Sequence, residues 1–433
     1  MITGSRFVRG VIFFSYFLWN AYTQSRVKTY LHKLHDFLLA SFFSSLFLRV
    51  LHRLPMFYPS RAWGIFDGLN SRLAFSLDIF NPLFIFPAVF LGFLAVSSYR
   101  VSNLALASII IGIAAFACGV LLTRNHRFKR SFCLEASVEK ITLMVLFIGV
   151  SSLVYDVAQT GSIPLLDPGA RRKLSVLYTM LAHITVPGGI LLIALIGKRL
   201  REGRITLAEA RMYALATALA VTALMSLLGY RTQIIVSILG SAIAMYYSRI
   251  LGRAEILVAF VLAFFAISAF GYYRALAQGS PVGFFEVFAK RAALTLSIYD
   301  GLVDRFWVFG ANRGSVFLAS FSSFLSFIPG PRLGPRTIVA QIYGIRDISI
   351  TSTLYGTVVL DFGIPGIILF SLLLGFILGL AYRAVKQTKA AVSIGIFSLL
   401  LAYALVGIET GLVDFNVLMF FLTGFVVLMK SKG

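Results

Sequence analysis

The stretch TSTLYGTVVLDFGIPGIILFSLLLGFILGLAYR, Thr351 to Arg383, decides the class of this fold. Between Leu354 and Tyr382 it holds a single charge, Asp361. The run exceeds the roughly 20 apolar residues that a helix needs to cross a bilayer core about 30 Å thick. Gly363, Pro365 and Gly366 follow Asp361, and such residues bend helices or admit close backbone approach. A break beside a buried charge suggests a site, and a packing kink is the competing account. Outward from this stretch, comparable apolar runs recur from Pro82 to the C-terminus. With 59% hydrophobic and 13% charged residues, and 41 Phe, the chain cannot be wrapped into water-soluble globules. The runs are helical in length, which excludes a β-barrel.

Spans are expected at Pro82–Ser98, Asn103–Thr123, Ile141–Tyr155, Val176–Gly197, Met212–Leu228, Thr232–Ser248, Ile256–Tyr273, Leu354–Tyr382, Ile394–Ile408 and Leu412–Met429. Alternate connections carry Arg124, Arg127, Lys129 and Arg130; Lys198, Arg199, Arg201 and Arg204; Arg249 and Arg253; Arg383, Lys386 and Lys389; and Lys430 and Lys432. The bias of Lys and Arg toward cytoplasmic loops assigns these to the inside. The net charge of +22 is therefore a topology signal rather than a nucleic-acid footprint. The other connections face out, and only one of them, Arg274–Thr353, is long. The expected fold is all-α and polytopic, with about 10 to 12 transmembrane helices and one long outer loop. The N-terminus lacks a small-residue cleavage site, so its first helices are expected to stay attached. Residues 1–81 read as a membrane-associated segment with at most two helices, and YTQSRVKTYL, FFSSLFLRVL, YPSRAWGIFD and LNSRLAFSL read as amphipathic interfacial pieces or as ordinary Ser-rich helices. Cys118 and Cys133 suggest neither a disulfide nor a metal site.

Position of charge is the strongest functional signal. Asp156, His183, Arg231, Asp361, Glu409 and Asp414 lie in or beside apolar runs, and the topology puts all six in the outer half of the membrane. Intramembrane charges face wet cavities or one another, so an outer-facing cavity is expected. For Asp156 and Asp414 an interfacial position suffices, and His183 reads most simply as a core histidine bonded to a carbonyl. The outer segments are also basic, with Arg171, Arg172 and Lys173, then Arg231, then Arg274, Arg291, Arg305, Arg313, Arg332, Arg336 and Arg346. Guanidinium forks suit phosphate, which implies an anionic substrate such as a lipid pyrophosphate, with attraction to lipid head groups accounting for part of the set. Phe284–Phe306 has helical periodicity with Arg291, Asp300, Asp304 and Arg305 on polar positions, and Ser315–Phe327 is too short to span. The loop reads as a lid above the cavity. Asp300 and Asp304, one turn apart, read as surface ion-pair formers, and no metal or cofactor is expected.

GSIPLLDPGARRKL (Gly161–Leu174), GYRTQIIVSIL (Gly229–Leu239), GSVFLASFSSFLSFIPGPRLGP (Gly314–Pro335) and TSTLYGTVVLDFGIPGIILFSLLLG (Thr351–Gly375) together resemble the oligosaccharide repeat unit polymerases, the Wzy-type O-antigen polymerase superfamily. The resemblance covers Pro82–Met429, and the motifs are degenerate, so order and topology carry it. It implies a transmembrane polymerase domain at residues 82–433, including the outer loop 274–353, with a GT-C-like architecture in the plasma (inner) membrane and an active site facing outside. It also implies inverting, metal-independent glycosyl transfer between polyprenyl-pyrophosphate-linked glycan donor and acceptor, with membrane lipids, a flippase or a chain-length regulator as further partners and no nucleic acid. Leaving-group contacts are expected from Arg231, Arg274, Arg313, Arg171, Arg172 and Arg336, and the base from Asp361 or Glu409. The alternatives are a ligase, weakened because the long outer loop contains no histidine, and a lipid-linked-glycan transporter, weakened by the lack of an internal repeat and of midplane charge.

Overall fold

A computed structural model describes residues 78–128, 137–165, 173–261 and, apart from scattered loop positions, 283–430. Among the described residues the elements are helices: α1 Pro82–Val96, α2 Asn103–Leu122, α3 Val138–Thr160, α4 Val176–His183, α5 Thr185–Arg201, α6 Leu207–Leu227, α7 Arg231–Tyr247, α8 Glu286–Phe306, α9 Ser315–Ser322, α10 Pro335–Ile342, α11 Gly356–Thr388, α12 Ala391–Thr410 and α13 Phe415–Lys430. Six are long and apolar enough to cross a membrane, namely α2, α3, α4 joined with α5, α6, α11 and α12, while α1 and α13 are shorter apolar helices. The expected spans at α1 and α13 are thus helices of less than spanning length. The 17 residues of α7 extend about 25 Å. Most of the expected span Ile256–Tyr273, and all of residues 1–77, lie outside the described residues.

α12 is the centre of the bundle, with 89% of its apolar window buried. It packs against α5, α7, α11 and α13. The closest pairing is α2 with α11, and glycine makes it possible. A methyl group on Gly119 would overlap the Leu372 carbonyl oxygen, and one on Gly375 would overlap that of Phe116. Gly379, one turn beyond Gly375, would bring a methyl group against the Thr123 hydroxyl (2.5 Å) and the Val120 Cα (3.0 Å). Without water to squeeze out, membrane helices associate through such close backbone contact, and small residues four apart are its sequence signature.

α11 is broken where the sequence suggested. Gly363 sits at φ 64° and ψ −156°, a conformation that a side chain would not tolerate. The backbone groups released by the break hold the long outer segment: Ile364 N donates to Trp307 O (2.9 Å), and Asn312 N donates to Leu360 O (3.2 Å). The Asp361 carboxylate accepts from Val316 N (3.0 Å) and Phe317 N (2.7 Å), capping α9. The residue before α9 is Gly314, which has no side chain to do so.

Helix α8 of the outer segment packs into the core. On α8, Leu296, Tyr299, Leu302 and Val303 are fully buried against the bundle. Asp300, expected on the surface, is buried and accepts from Tyr99 Oη (2.8 Å), Ser102 N (3.0 Å) and Ser102 Oγ (2.5 Å). It fastens α8 to the start of α2, and only Asp304 is exposed. Asp156 is likewise buried: it is 1% exposed and accepts from Ser175 N and Thr179 Oγ1 at the start of α4. His183 Nδ1 meets Asn416 Nδ2 (3.0 Å) instead of a carbonyl.

Contacts sort the helix ends as the charge alternation implied. At one end Gln387 donates to His126 O, Arg201 to Lys389 O, and Lys386 pairs with Asp78. At the other, Leu165 N bonds Leu227 O, Leu354 N bonds Ile408 O, and the charged cluster described next assembles.

Candidate functional site

Three chain-distant residues meet at the non-basic end. Arg231 is the first residue of α7, Arg291 lies on α8, and Glu409 is in the last turn of α12. Arg291 Nε donates to Glu409 Oε1, and Arg231 Nη1 stands 3.8 Å from the same oxygen. Arg231 also lies over the Phe288 ring, 6.0 Å from its centroid, one turn before Arg291 on α8. Position on α7 is set by a buried lock: Tyr403 Oη of α12 donates to Gln233 Oε1 (2.8 Å), which fixes the start of α7 against α12.

Helix electrostatics do not account for this placement. A cation in the first turn of a helix and an anion in the last turn both oppose the macrodipole. Arg231 and Glu409 each occupy the disfavoured end and compensate each other across the gap. The α7 N-terminus adds its own positive end to two guanidiniums, so positive charge is concentrated here and Glu409 neutralises part of it.

The three residues line one wall of a cavity of about 490 Å³. The rest of the wall is apolar, from Ile85, Val89 and Phe93 of α1 through Ile235 and Ile238 of α7 to Phe260 and Leu405. A side chain at Gly92, also in the wall, would meet nothing within 4 Å. The arrangement suits an amphiphile with an apolar chain and an anionic head.

A second, narrower crevice of about 10 Å³ is lined by Arg336, Ser352, Thr353, Thr357, Thr410 and Asp414, among others. Arg336 Nη2 donates to Asp414 Oδ2 there.

Of the expected site residues, Arg231 and Glu409 come together. Asp361 does not join them: it is 1% exposed, absent from both walls, and its carboxylate oxygens accept backbone amides. Arg313 is exposed at φ 45° before α9, away from the cavity wall, and Arg336 belongs to the crevice. Arg171, Arg172 and Arg274 lie outside the described residues. Arg291 stood in the sequence as one of the outer basic residues and as a polar position on a loop helix, not as a partner of Glu409. The signal available for it was its place between Phe288 and Ala292, which flank it in the cavity wall.

Comparison with known proteins covers this whole assembly. A family model described as "Putative O-antigen polymerase" matches residues 78–421, which include both walls. The chain belongs to the O-antigen polymerase family. As a member of that family it is a multi-pass membrane protein of polysaccharide biosynthesis, and its apolar helices agree. It is also similar to the uncharacterized protein MJ0419 of Methanocaldococcus jannaschii, at 28% identity over 288 residues, 66% of this chain and 75% of the relative. No solved structure matches the chain. The family thus places lipid-linked glycans as the substrate class, in accord with an apolar cavity ending in arginines.

Proposed function

We propose that this protein polymerises lipid-pyrophosphate-linked oligosaccharide repeat units by inverting, metal-independent glycosyl transfer at the outer face of the plasma membrane. The observation that carries the reading is the convergence of Arg231, Arg291 and Glu409 at the wall of an apolar cavity. The polyprenyl chain of the donor lies in the cavity, and its pyrophosphate takes the place of Glu409 on the two guanidiniums. Charge that builds on the departing pyrophosphate then meets preoriented donors, a form of stabilisation typically worth roughly 10²–10³ in turnover per donor. Glu409, released from the arginines, accepts the proton of the attacking acceptor hydroxyl. That hydroxyl oxygen forms the new bond to the anomeric carbon from the face opposite the leaving group, and polyprenyl pyrophosphate departs. Asp361 acts as a positioning residue, holding α9 and the outer segment in place.

The test is extension of polyprenyl-pyrophosphate-linked oligosaccharides, extracted from the source cells, by the detergent-solubilised protein. Wild type is expected to yield a ladder of multimers, and Arg231→Ala and Arg291→Ala to lower its rate by about two orders of magnitude each. Transfer of single units to another acceptor would make the protein a ligase. An absent ladder, with lipid-linked glycan crossing vesicle membranes, would make it a transporter.

A further inference from the structure

A polymerase of this kind must hold two glycans, and the cavity accounts for only one of them. Resting on the reading of that cavity as the donor site, we propose that the crevice between α10, the start of α11 and the α12–α13 turn is a slot for one sugar hydroxyl of the acceptor glycan. Four observations point there. The crevice, about 10 Å³, has room for roughly one water-sized group, which fits a hydroxyl and not a sugar ring. Thr357 lines it at 6% exposure with its Oγ1 unpartnered, and a buried hydroxyl without a partner is unfavourable until a ligand group meets it. Arg336 and Asp414 place donors and an acceptor side by side, matching a hydroxyl that both accepts and donates. Thr353, a β-branched residue, is held at φ 61° in the wall, a backbone state that such residues avoid.

The slot is tied to the charged cluster through the backbone. Glu409 lines the cavity, and Thr410 and Gly411, the next two residues, line the slot. Leu354 N donates to Ile408 O (3.2 Å), which fastens the start of α11 to the end of α12. A glycan anchored by one hydroxyl at Thr357 and Asp414 therefore presents its neighbouring hydroxyls beside Glu409. The slot makes the acceptor a glycan with a free hydroxyl at a fixed offset from the attacking one, which makes Thr357 and Asp414 specificity-determining residues.

The experiment separates donor from acceptor. Lipid-linked donor is held at fixed concentration, and the acceptor is the free oligosaccharide released from the same lipid by mild acid. Thr357→Val, which keeps shape and loses the hydroxyl, is expected to raise the acceptor concentration for half-maximal rate about tenfold, equivalent to ~1.4 kcal/mol. Maximal rate and binding of polyprenyl pyrophosphate stay at wild-type values, and Thr357→Ser restores acceptor saturation. Unchanged acceptor saturation in Thr357→Val overturns the slot. Failure of the donor reading appears separately, as polyprenyl pyrophosphate binding that Arg231→Ala leaves intact. In that event calorimetric binding of the free oligosaccharide decides the slot alone: weaker binding to Thr357→Val upholds it, and equal binding removes it.

Discussion

Gly119→Ala adds one methyl group at the α2–α11 crossing, and the geometry there sets its cost. The added carbon would overlap the Leu372 carbonyl oxygen and lie 2.8 Å from the Phe376 nitrogen, against an ordinary contact distance of 3.4 Å or more. All the nearest atoms are backbone, so no side chain can swing away, and clearing the carbonyl oxygen parts the helices by about 1 Å. A gap of that size forfeits about half of each dispersion contact, or roughly 3 kcal/mol over the ~40 atom pairs that one leucine-sized patch makes. This agrees with the ~1–3 kcal/mol typical of overpacked sites. For a chain of this length the melting temperature should fall by about 2–4 °C. The matched control is Gly92→Ala, whose methyl meets nothing within 4 Å. It should melt at or slightly above wild type, since alanine favours a helix by about 1 kcal/mol over glycine. Thermal unfolding in detergent, followed by size-exclusion fluorescence, measures both. If Gly119→Ala melts with wild type, the α2–α11 packing is not as close as described, and the placement of Asp300 and Asp361, which depends on those helices, loses its footing.

Three other outcomes follow from the same geometry. Gly92→Trp should fold normally yet fill the donor cavity, abolishing binding of polyprenyl pyrophosphate while inorganic pyrophosphate still competes at the arginines; retained lipid binding would move the chain elsewhere. Asp361→Asn should lower stability by about 1–3 kcal/mol, because an amide nitrogen would face the α9 backbone N–H groups, while folded protein keeps its turnover; a large loss of turnover at unchanged melting temperature would return Asp361 to the chemistry. The hydrogen bond to Asp300 raises the Tyr99 hydroxyl above its ordinary value of 10.0. Its stabilising contribution is therefore complete below pH 10 and lost as the pH climbs from there through the folded-state value, so wild type should lose stability in strong alkali more steeply than Tyr99→Phe. Identical alkaline melting curves for the two proteins would contradict that assignment.

Much of the helix order was legible because apolar period and length leave little choice in lipid. Pro82, Asn103 and the break after Asp361 stand where the sequence put them. The tertiary fate of individual carboxylates was not legible. Asp300 reads as a solvated position on an amphipathic helix, and only the fold shows that Tyr99 and Ser102, nearly two hundred residues earlier, supply its donors. Asp361 reads as a base because it is charged and buried, yet burial alone does not say whether water or a backbone amide reaches it. Arg291 was one of eleven outer basic residues, and no periodicity tells which guanidinium faces a distant carboxylate. Arg231 was identifiable for a local reason, being pinned by a short hairpin at the head of a helix.

The carboxylates divide by the kind of partner that neutralises them, and that division separates scaffold from site. Asp156, Asp300 and Asp361 accept from amides and hydroxyls of this chain at helix starts, where each ties a loop to the bundle. Such donors are fixed and neutral, and no ligand of either charge displaces them cheaply. Glu409 and Asp414 instead face guanidiniums along walls with open space. In the proposed mechanism an anionic head group would compete for those guanidiniums directly and, on winning, leave a carboxylate free. Arg231 and Glu409 both sit at the helix ends that the macrodipole disfavours, so nothing local to α7 or α12 would retain them. Each offsets the other's charge across the gap between them, and in the proposed mechanism exchange of Glu409 for a pyrophosphate would couple donor binding to release of the carboxylate that the acceptor requires.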